Sequence, residues 1–241
     1  MAETGKLKLY IRLYTLCFLA AEGLFYLLFL SCDLFEQEIL FSSTSWKFAV
    51  IVLALFYVAL EFLFTKRQDA LWLRRLFLLF AMILTLVSDV FLLVQDKNYV
   101  IGVCTFFLAQ VFHALEIPRS KKQAIVSFSL RFGATAAAIA VLSIVGKLTP
   151  LYTAVALYAP QLLGNFLEHV TGIFKFRERE EKMRSFLLAV GFLLFVGCDI
   201  CVGLSNLGVH GVSFWIWAFY APSQALIAIS CGRFYHEKTT D

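Results

Sequence analysis

Long apolar stretches, each ended by a short polar break, dominate the chain. A helix that crosses a bilayer needs about 20 mostly apolar residues. Reading the runs between breaks gives eight predicted spans: Leu9–Ser31, Trp46–Phe64, Trp72–Val94, Tyr99–Ile117, Ala124–Val145, Pro150–Gly172, Ser185–Ser205 and Gly211–Cys231. The connections between them are short, and none has room for a soluble domain. The pattern therefore predicts an all-α polytopic membrane bundle of eight transmembrane helices, with residues 1–241 forming a single integral membrane domain. The first run is too long for a signal-peptide core and no small-residue cleavage site follows it, so no cleavable leader is expected.

Composition agrees and narrows the function. Hydrophobic residues make up 61% of the chain and charged residues 16%, with a mean hydropathy of +0.80. Soluble domains carry about 45–50% apolar and about 25% charged residues. This excludes a soluble enzyme, a nucleic-acid-binding domain and a disordered regulator. The net charge of +4 says less than its distribution. Of the 21 lysines and arginines, all but Lys47, Lys97 and Lys147 fall on the side of the map that holds both termini. The positive-inside rule then places both termini in the cytoplasm. A bacterial inner membrane is the expected location, with the endoplasmic reticulum as the alternative. Trp46, Trp72 and Trp215 sit near span ends, where interfacial aromatic residues gather. Arg131 lies inside the fifth span near its cytoplasmic end. Its simplest reading is a snorkelling side chain; the functional one is a cation that meets a lipid phosphate. The six cysteines are scattered and read as small buried hydrophobes rather than a disulfide framework.

The informative minority is polar. A charged group at mid-helix costs about 2.5–3.5 kcal/mol on insertion scales, so such residues face a bundle interior or cavity and are functional candidates. The deepest acids are Glu22, Asp89 and Asp199; Glu61 and Glu168 lie nearer the cytoplasmic ends. Helical spacing groups them with neighbours: Thr85, Ser88 and Asp89; Gln110, His113 and Glu116; Tyr158, Gln161, Asn165 and Glu168; Asp199, Gly203 and Asn206; Trp217, Tyr220 and Gln224. These five faces are expected to converge on a shared cavity. The bland alternative is interhelical glue, weaker for Asp89 and Asp199, since no lysine or arginine falls at their depth in the sequence. Cys198, Asp199 and Cys201 invite a metal reading, but His113 and His169 have no partner at zinc-ligand spacing, and no metal or cofactor is expected. There is no mid-membrane lysine for a Schiff base and no nucleophile-elbow motif. An aspartate followed by a glutamine in helices 3 and 4, repeated in helices 7 and 8, suggests two parallel four-helix halves.

At these residues the chain resembles the YhhN-like family of integral membrane proteins, which includes the lysoplasmalogenases. One block is Ser88-Asp89-Val90-Phe91-Leu92-Leu93, followed by Gly102, Phe106 and the segment Gln110–His113. The other runs from Phe195 through Asp199 to Leu204 and on to Phe219-Tyr220-Ala221-Pro222-Ser223-Gln224. Ser88 replaces the family's usual glycine, Gln110 its histidine and His113 its tyrosine. The resemblance implies hydrolysis of the vinyl ether of a lysophospholipid, giving a fatty aldehyde and a glycerophospho head group. It makes Asp89 and Asp199 the expected acid–base pair, as paired carboxyl groups share the work in glycoside hydrolysis. Gln110, His113, Gln161, Asn165, Tyr220, Gln224 and Glu22 would be the supporting polar residues, and lysophospholipid and membrane lipid the partners. A proton-linked carrier or lipid-binding protein, and a helical scaffold without a ligand, remain the alternatives. Oligomeric state is not expressed in the sequence.

Overall fold

The computed structural model describes residues 2–69 and 71–232, with side chains from residue 9 onward. Arg233 and Lys238, both on the cation-rich side of the sequence map, lie outside the described residues. Among those residues the chain forms eight α-helices: α1 (Ala2–Phe35), α2 (Ser43–Leu63), α3 (Trp72–Asp89), α4 (Tyr99–Leu115), α5 (Lys121–Ile144), α6 (Pro150–Lys175), α7 (Arg179–Asn206) and α8 (Ser213–Ile229). Extended pairing is limited to an isolated bridge between Ile39 and Phe41. Each helix overlaps its expected span, with ends that differ by at most seven residues, the largest differences being the earlier starts of α1 and α7. Among the described residues five segments are long and apolar enough to cross a membrane: Leu9–Phe35, Ser43–Leu63, Trp72–Val94, Lys121–Ile144 and Arg179–Asn206. Leu13, Leu24, Leu27, Phe56, Leu130 and Leu193 are each more than half exposed. Hydrocarbon, not water, is the solvent in which such an exterior is stable.

Local signals set several of the ends. The Ser42 hydroxyl caps α2 by accepting from the Ser45 N–H at 3.3 Å. A reciprocal capping box opens α5, with the Ser120 hydroxyl on the Gln123 N–H and the Gln123 side chain on the Ser120 N–H. At the end of α4, Arg74 Nε donates to the Glu116 carbonyl at 3.1 Å, and Arg119 Nη2 donates to that of Ala114. Both place a cation at the negative end of the helix.

The chain divides into two compact units, residues 1–64 with 170–241, and residues 65–169. The first holds α1, α2, α7, α8 and the end of α6. In it α7 packs on α8, and α1 and α2 pack on each other and on α8. Gly191 permits the close approach of α7 to α8: a Cβ there would stand 3.0 Å from Ile227 Cγ1 and 3.3 Å from the Ser223 carbonyl oxygen. Within α8, Pro222 has no N–H to give the carbonyl four residues earlier. The Tyr26 hydroxyl of α1 donates to that carbonyl, Ala218 O, at 3.2 Å.

The second unit holds α3, α4, α5 and most of α6. Directly after Asp89, α3 passes into a π-helical segment, Val90–Val94. Leu92 of that segment lies on Gly102 of α4, where a Cβ would stand 2.5 Å from Leu92 Cδ2. Ser88 Oγ donates to the Gly102 carbonyl at 2.6 Å. Glycine at position 102 is thus what lets the widened turn beside Asp89 seat against α4.

The Tyr26 bond yields a simple test. Tyr26→Phe leaves the Ala218 carbonyl without its donor and is expected to lower stability by about 1 kcal/mol. The effect should vanish in a Pro222→Ala background, where residue 222 regains its N–H. Thermal unfolding in detergent micelles reads both.

Candidate functional site

The second unit contains a polar network that runs from a part-buried acid into the interior. Its centre is Glu168 on α6, which receives two arginines and a serine. Arg119 Nη1 donates to both carboxylate oxygens, at 2.8 and 2.6 Å. Arg131 Nη2 donates at 2.9 Å, and the Ser127 hydroxyl donates to the same carboxylate. Both guanidinium groups also lie over the Phe128 ring, at 5.2 and 5.9 Å. Arg131 is 4% exposed. It does not snorkel, as its place in the sequence suggested; it turns inward, where Glu168, Asn165 and a carbonyl accept from its two terminal nitrogens. Nor does a lipid phosphate need to be invoked for its charge.

From Arg131 the network runs through amides. Arg131 Nη1 donates to Asn165 Oδ1 at 2.8 Å and to the Gln161 carbonyl at 3.1 Å. Asn165 Nδ2 donates onward to the backbone and side-chain oxygens of Gln110 on α4, both at 2.9 Å. Gly164 makes room for the inserted arginine, since a Cβ there would stand 2.5 Å from Arg131 Nε. Beyond these bonds several buried groups have no partner: Gln110 Nε2, both amide atoms of Gln161, and the Thr85 hydroxyl. Gln110, Asn165 and Gln161 are all fully buried. His113 and Glu116 complete the α4 stripe, each 1% exposed, with His113 Nδ1 3.9 Å from Glu116 Oε1.

Asp89 belongs to this unit. It is 3% exposed and follows Thr85 and Ser88, both fully buried, at the junction of α3 with the π-helical segment. Such segments recur at functional positions because the added residue re-aims the side chains beside it.

The first unit holds the other candidates. Glu22 is buried and its Oε1 has no hydrogen-bond partner. On α8, Tyr220 is buried, with edge-on contacts to Phe195 and Trp217. Gln224 is fully buried and neither of its amide atoms finds a partner; nor does the Ser223 hydroxyl. At the far end of α2, Tyr14 donates to Glu61, and the Thr15 and Tyr57 hydroxyls lie 3.1 Å apart. Asp199 on α7 is half-buried, whereas Gly203 and Asn206 are exposed. The face expected to carry Asp199, Gly203 and Asn206 into the interior therefore does not do so as a stripe. Cys198 and Cys201, on either side, take the buried positions.

Of the sequence candidates, Gln110, Asn165 and Gln161 are joined through Arg131. Tyr220 and Gln224 share one face of α8. Asp89 and Asp199 belong to different compact units. Sequence reading missed the partnership of Arg119, Arg131 and Ser127 with Glu168. The signal was present: Arg119, Ser127 and Arg131 precede α6, whose one acid, Glu168, lies a turn below Asn165.

The charge balance at Glu168 orders the effects of substitution. Arg131→Ala leaves Glu168 with Arg119, whereas Glu168→Ala leaves two guanidinium groups against each other. Glu168→Ala is expected to cost about 3 kcal/mol or more, and Arg131→Ala less. Gly164→Ala, which adds a methyl group against a clamped side chain, is expected to cost about 1–3 kcal/mol. Denaturant unfolding of the detergent-solubilised protein checks the order.

No curated protein and no solved structure matches the chain. The sequence profile of the YhhN family matches residues 42–231, a stretch that takes in both aspartates and every helix but the first. The chain belongs to the YhhN family.

Proposed function

We propose that the protein is an integral membrane hydrolase that cleaves the vinyl ether bond of lysoplasmalogen-type lysophospholipids. Membership of the YhhN family carries this reading. The burial of Asp89 beside a break in helical register supports it. In this reading all eight helices cross the membrane and both termini are cytoplasmic.

Hydrolysis begins when a carboxyl group protonates the outer carbon of the C=C–O unit, which leaves an oxocarbenium ion at the carbon bonded to oxygen. Water adds to that carbon and gives up a proton to a carboxylate. The resulting hemiacetal breaks its carbon–oxygen bond to the glycerol, whose oxygen takes a proton. One water is consumed; a fatty aldehyde and a glycerophospho head group leave. Asp89 and Asp199 fill the acid and base roles. An anionic carboxylate near the oxocarbenium ion also lowers its energy in an apolar setting. Buried polar side chains supply the hydrogen bonds that hold the water and the glycerol oxygens, with Gln110, Gln161 and Asn165 near Arg131 as the group whose bonding the structure shows. The apolar helices accommodate the alkyl chain.

Aldehyde release from an alkenyl lysophospholipid by the purified protein tests the reading. Asp89→Asn and Asp199→Asn are each expected to lower the rate by about 10²-fold or more, the usual weight of a positioned acid or base. Full activity in both variants defeats the mechanism, and an inactive wild type defeats the function. Orientation is checked separately. A cysteine introduced at Lys97 is expected to react with an impermeant thiol reagent from outside sealed cells, and one at Lys66 only after permeabilisation.

A further inference from the structure

The α4–α6 network contains an orientation relay. Asn165 has one acceptor and one donor end, and Arg131, which only donates, fixes which is which. Because Arg131 takes Asn165 Oδ1, Asn165 must present Nδ2 to Gln110, and Nδ2 takes Gln110 Oε1. Gln110 is thereby held with its Nε2 amine as the group left over, and that amine has no partner. Glu168, with Arg119 and Ser127 on it, keeps Arg131 in place. One turn before Asn165 on the same face, Gln161 keeps both a free amide oxygen and a free amide nitrogen at zero exposure.

Three unsatisfied amide groups in a protein interior are expensive unless something fills them. Their chemistry defines the filler. Gln110 Nε2 and Gln161 Nε2 donate; Gln161 Oε1 accepts. The terminal nitrogens of Arg131 are taken by Glu168, Asn165 and a carbonyl, and its unpartnered Nε faces Gly164 of α6. The set does not suit an anion, which has no proton for Gln161 Oε1. It suits a neutral hydroxyl group, which donates one hydrogen bond and accepts two.

We propose that Gln110 and Gln161, oriented by Arg131 through Asn165, form a hydroxyl-reading subsite that recognises the free sn-2 hydroxyl of the lysolipid glycerol. This deepens the proposed hydrolase function and rests on it for the identity of the substrate. The free hydroxyl is what separates a lysolipid from the far more abundant two-chain lipids of a bilayer. Acylation removes the hydroxyl proton, leaving Gln161 Oε1 buried without a partner. A site built around such a proton rejects analogues that lack it far more strongly than an apolar pocket rejects an extra methylene. Arg131 and Asn165 act as positioning residues.

The test uses binding rather than turnover. The full chain, in nanodiscs, is titrated calorimetrically with a saturated alkyl ether lysophosphocholine, which has no vinyl bond to cleave, and with the same lipid methylated at its sn-2 hydroxyl. The wild type is expected to bind the free hydroxyl at least about tenfold more tightly than the methyl ether. Gln161→Met, similar in size and without polar atoms, is expected to erase that preference while raising Tm, because it removes two unsatisfied groups. A purely structural glutamine would lower Tm and leave the preference alone. Gln110→Met carries the same expectation for the preference should Gln161→Met not fold. Arg131→Lys, which keeps the charge but loses the fork, is expected to weaken the preference without altering affinity for the methyl ether. Equal binding of the two lipids by the wild type, binding of neither, or a preference that survives Gln161→Met overturns the proposal. Aldehyde release without hydroxyl preference overturns this subsite and leaves the hydrolase reading standing. Hydroxyl preference without aldehyde release does the reverse.

Discussion

Burying a polar group in a bundle that is surrounded by hydrocarbon is the constraint on which everything else here depends. Water cannot reach in to repair an unmet hydrogen bond, so each buried donor or acceptor must be met by another side chain, by backbone or by a bound molecule. Glu168 shows how strictly this is obeyed where charge is involved. A carboxylate with two guanidinium groups and a hydroxyl forms a cluster in which both carboxylate oxygens and the terminal nitrogens of Arg131 are bonded. Gly164 yields the volume that lets Arg131 enter it. The amides that hang from this cluster are less completely met, with Gln110 Nε2 and both amide atoms of Gln161 left without a partner.

A second regularity concerns the backbone. Regular helices bury their own polar groups, yet three candidate regions sit at departures from regularity. Asp89 immediately precedes the π-helical segment of α3. Gln161 follows Pro160 in α6, and Pro222 falls between Tyr220 and Gln224 in α8. Each departure frees or re-aims groups that a continuous helix would have fixed. Only where a neighbour makes good the loss, as Tyr26 does for Ala218, does the break become structural support. Tyr26 and Pro222 are thus one device, built from residues nearly two hundred positions apart in the chain.

Helix number and placement were legible in the sequence because the period and length of apolar runs answer to the bilayer alone. The buried stripes on α3, α4, α6 and α8 were legible for a related reason: a polar residue in a lipid-facing position is so unfavourable that its neighbours at helical spacing nearly always share its side. The α7 stripe misled because Gly203 and Asn206 stand at the end of α7, where membrane depth no longer forces a polar residue inward. Arg131 misled for the opposite reason. Snorkelling depends on the helix alone, whereas turning inward depends on an acid forty residues away that single-helix periodicity does not pair with it. The π-helical segment left no readable mark, since it depends on Leu92 seating over Gly102, a tertiary contact.

The unsatisfied amides and the breaks in regularity belong to one argument. Apolar side chains of similar size would pack at Gln161 and Gln224 with no polar group to satisfy, so stability alone gives no reason for glutamine there. Stability also favours a continuous helix over one with proline one or two residues before each of those glutamines. A chain that is 61% hydrophobic has apolar residues in abundance to place at these positions. That polar residues stand there instead, unmet within the protein and near weakened backbone, supports the proposed role in handling a polar lipid group. The charged cluster and the glycine-mediated contacts hold the helices together; the buried amides are the part they leave incomplete.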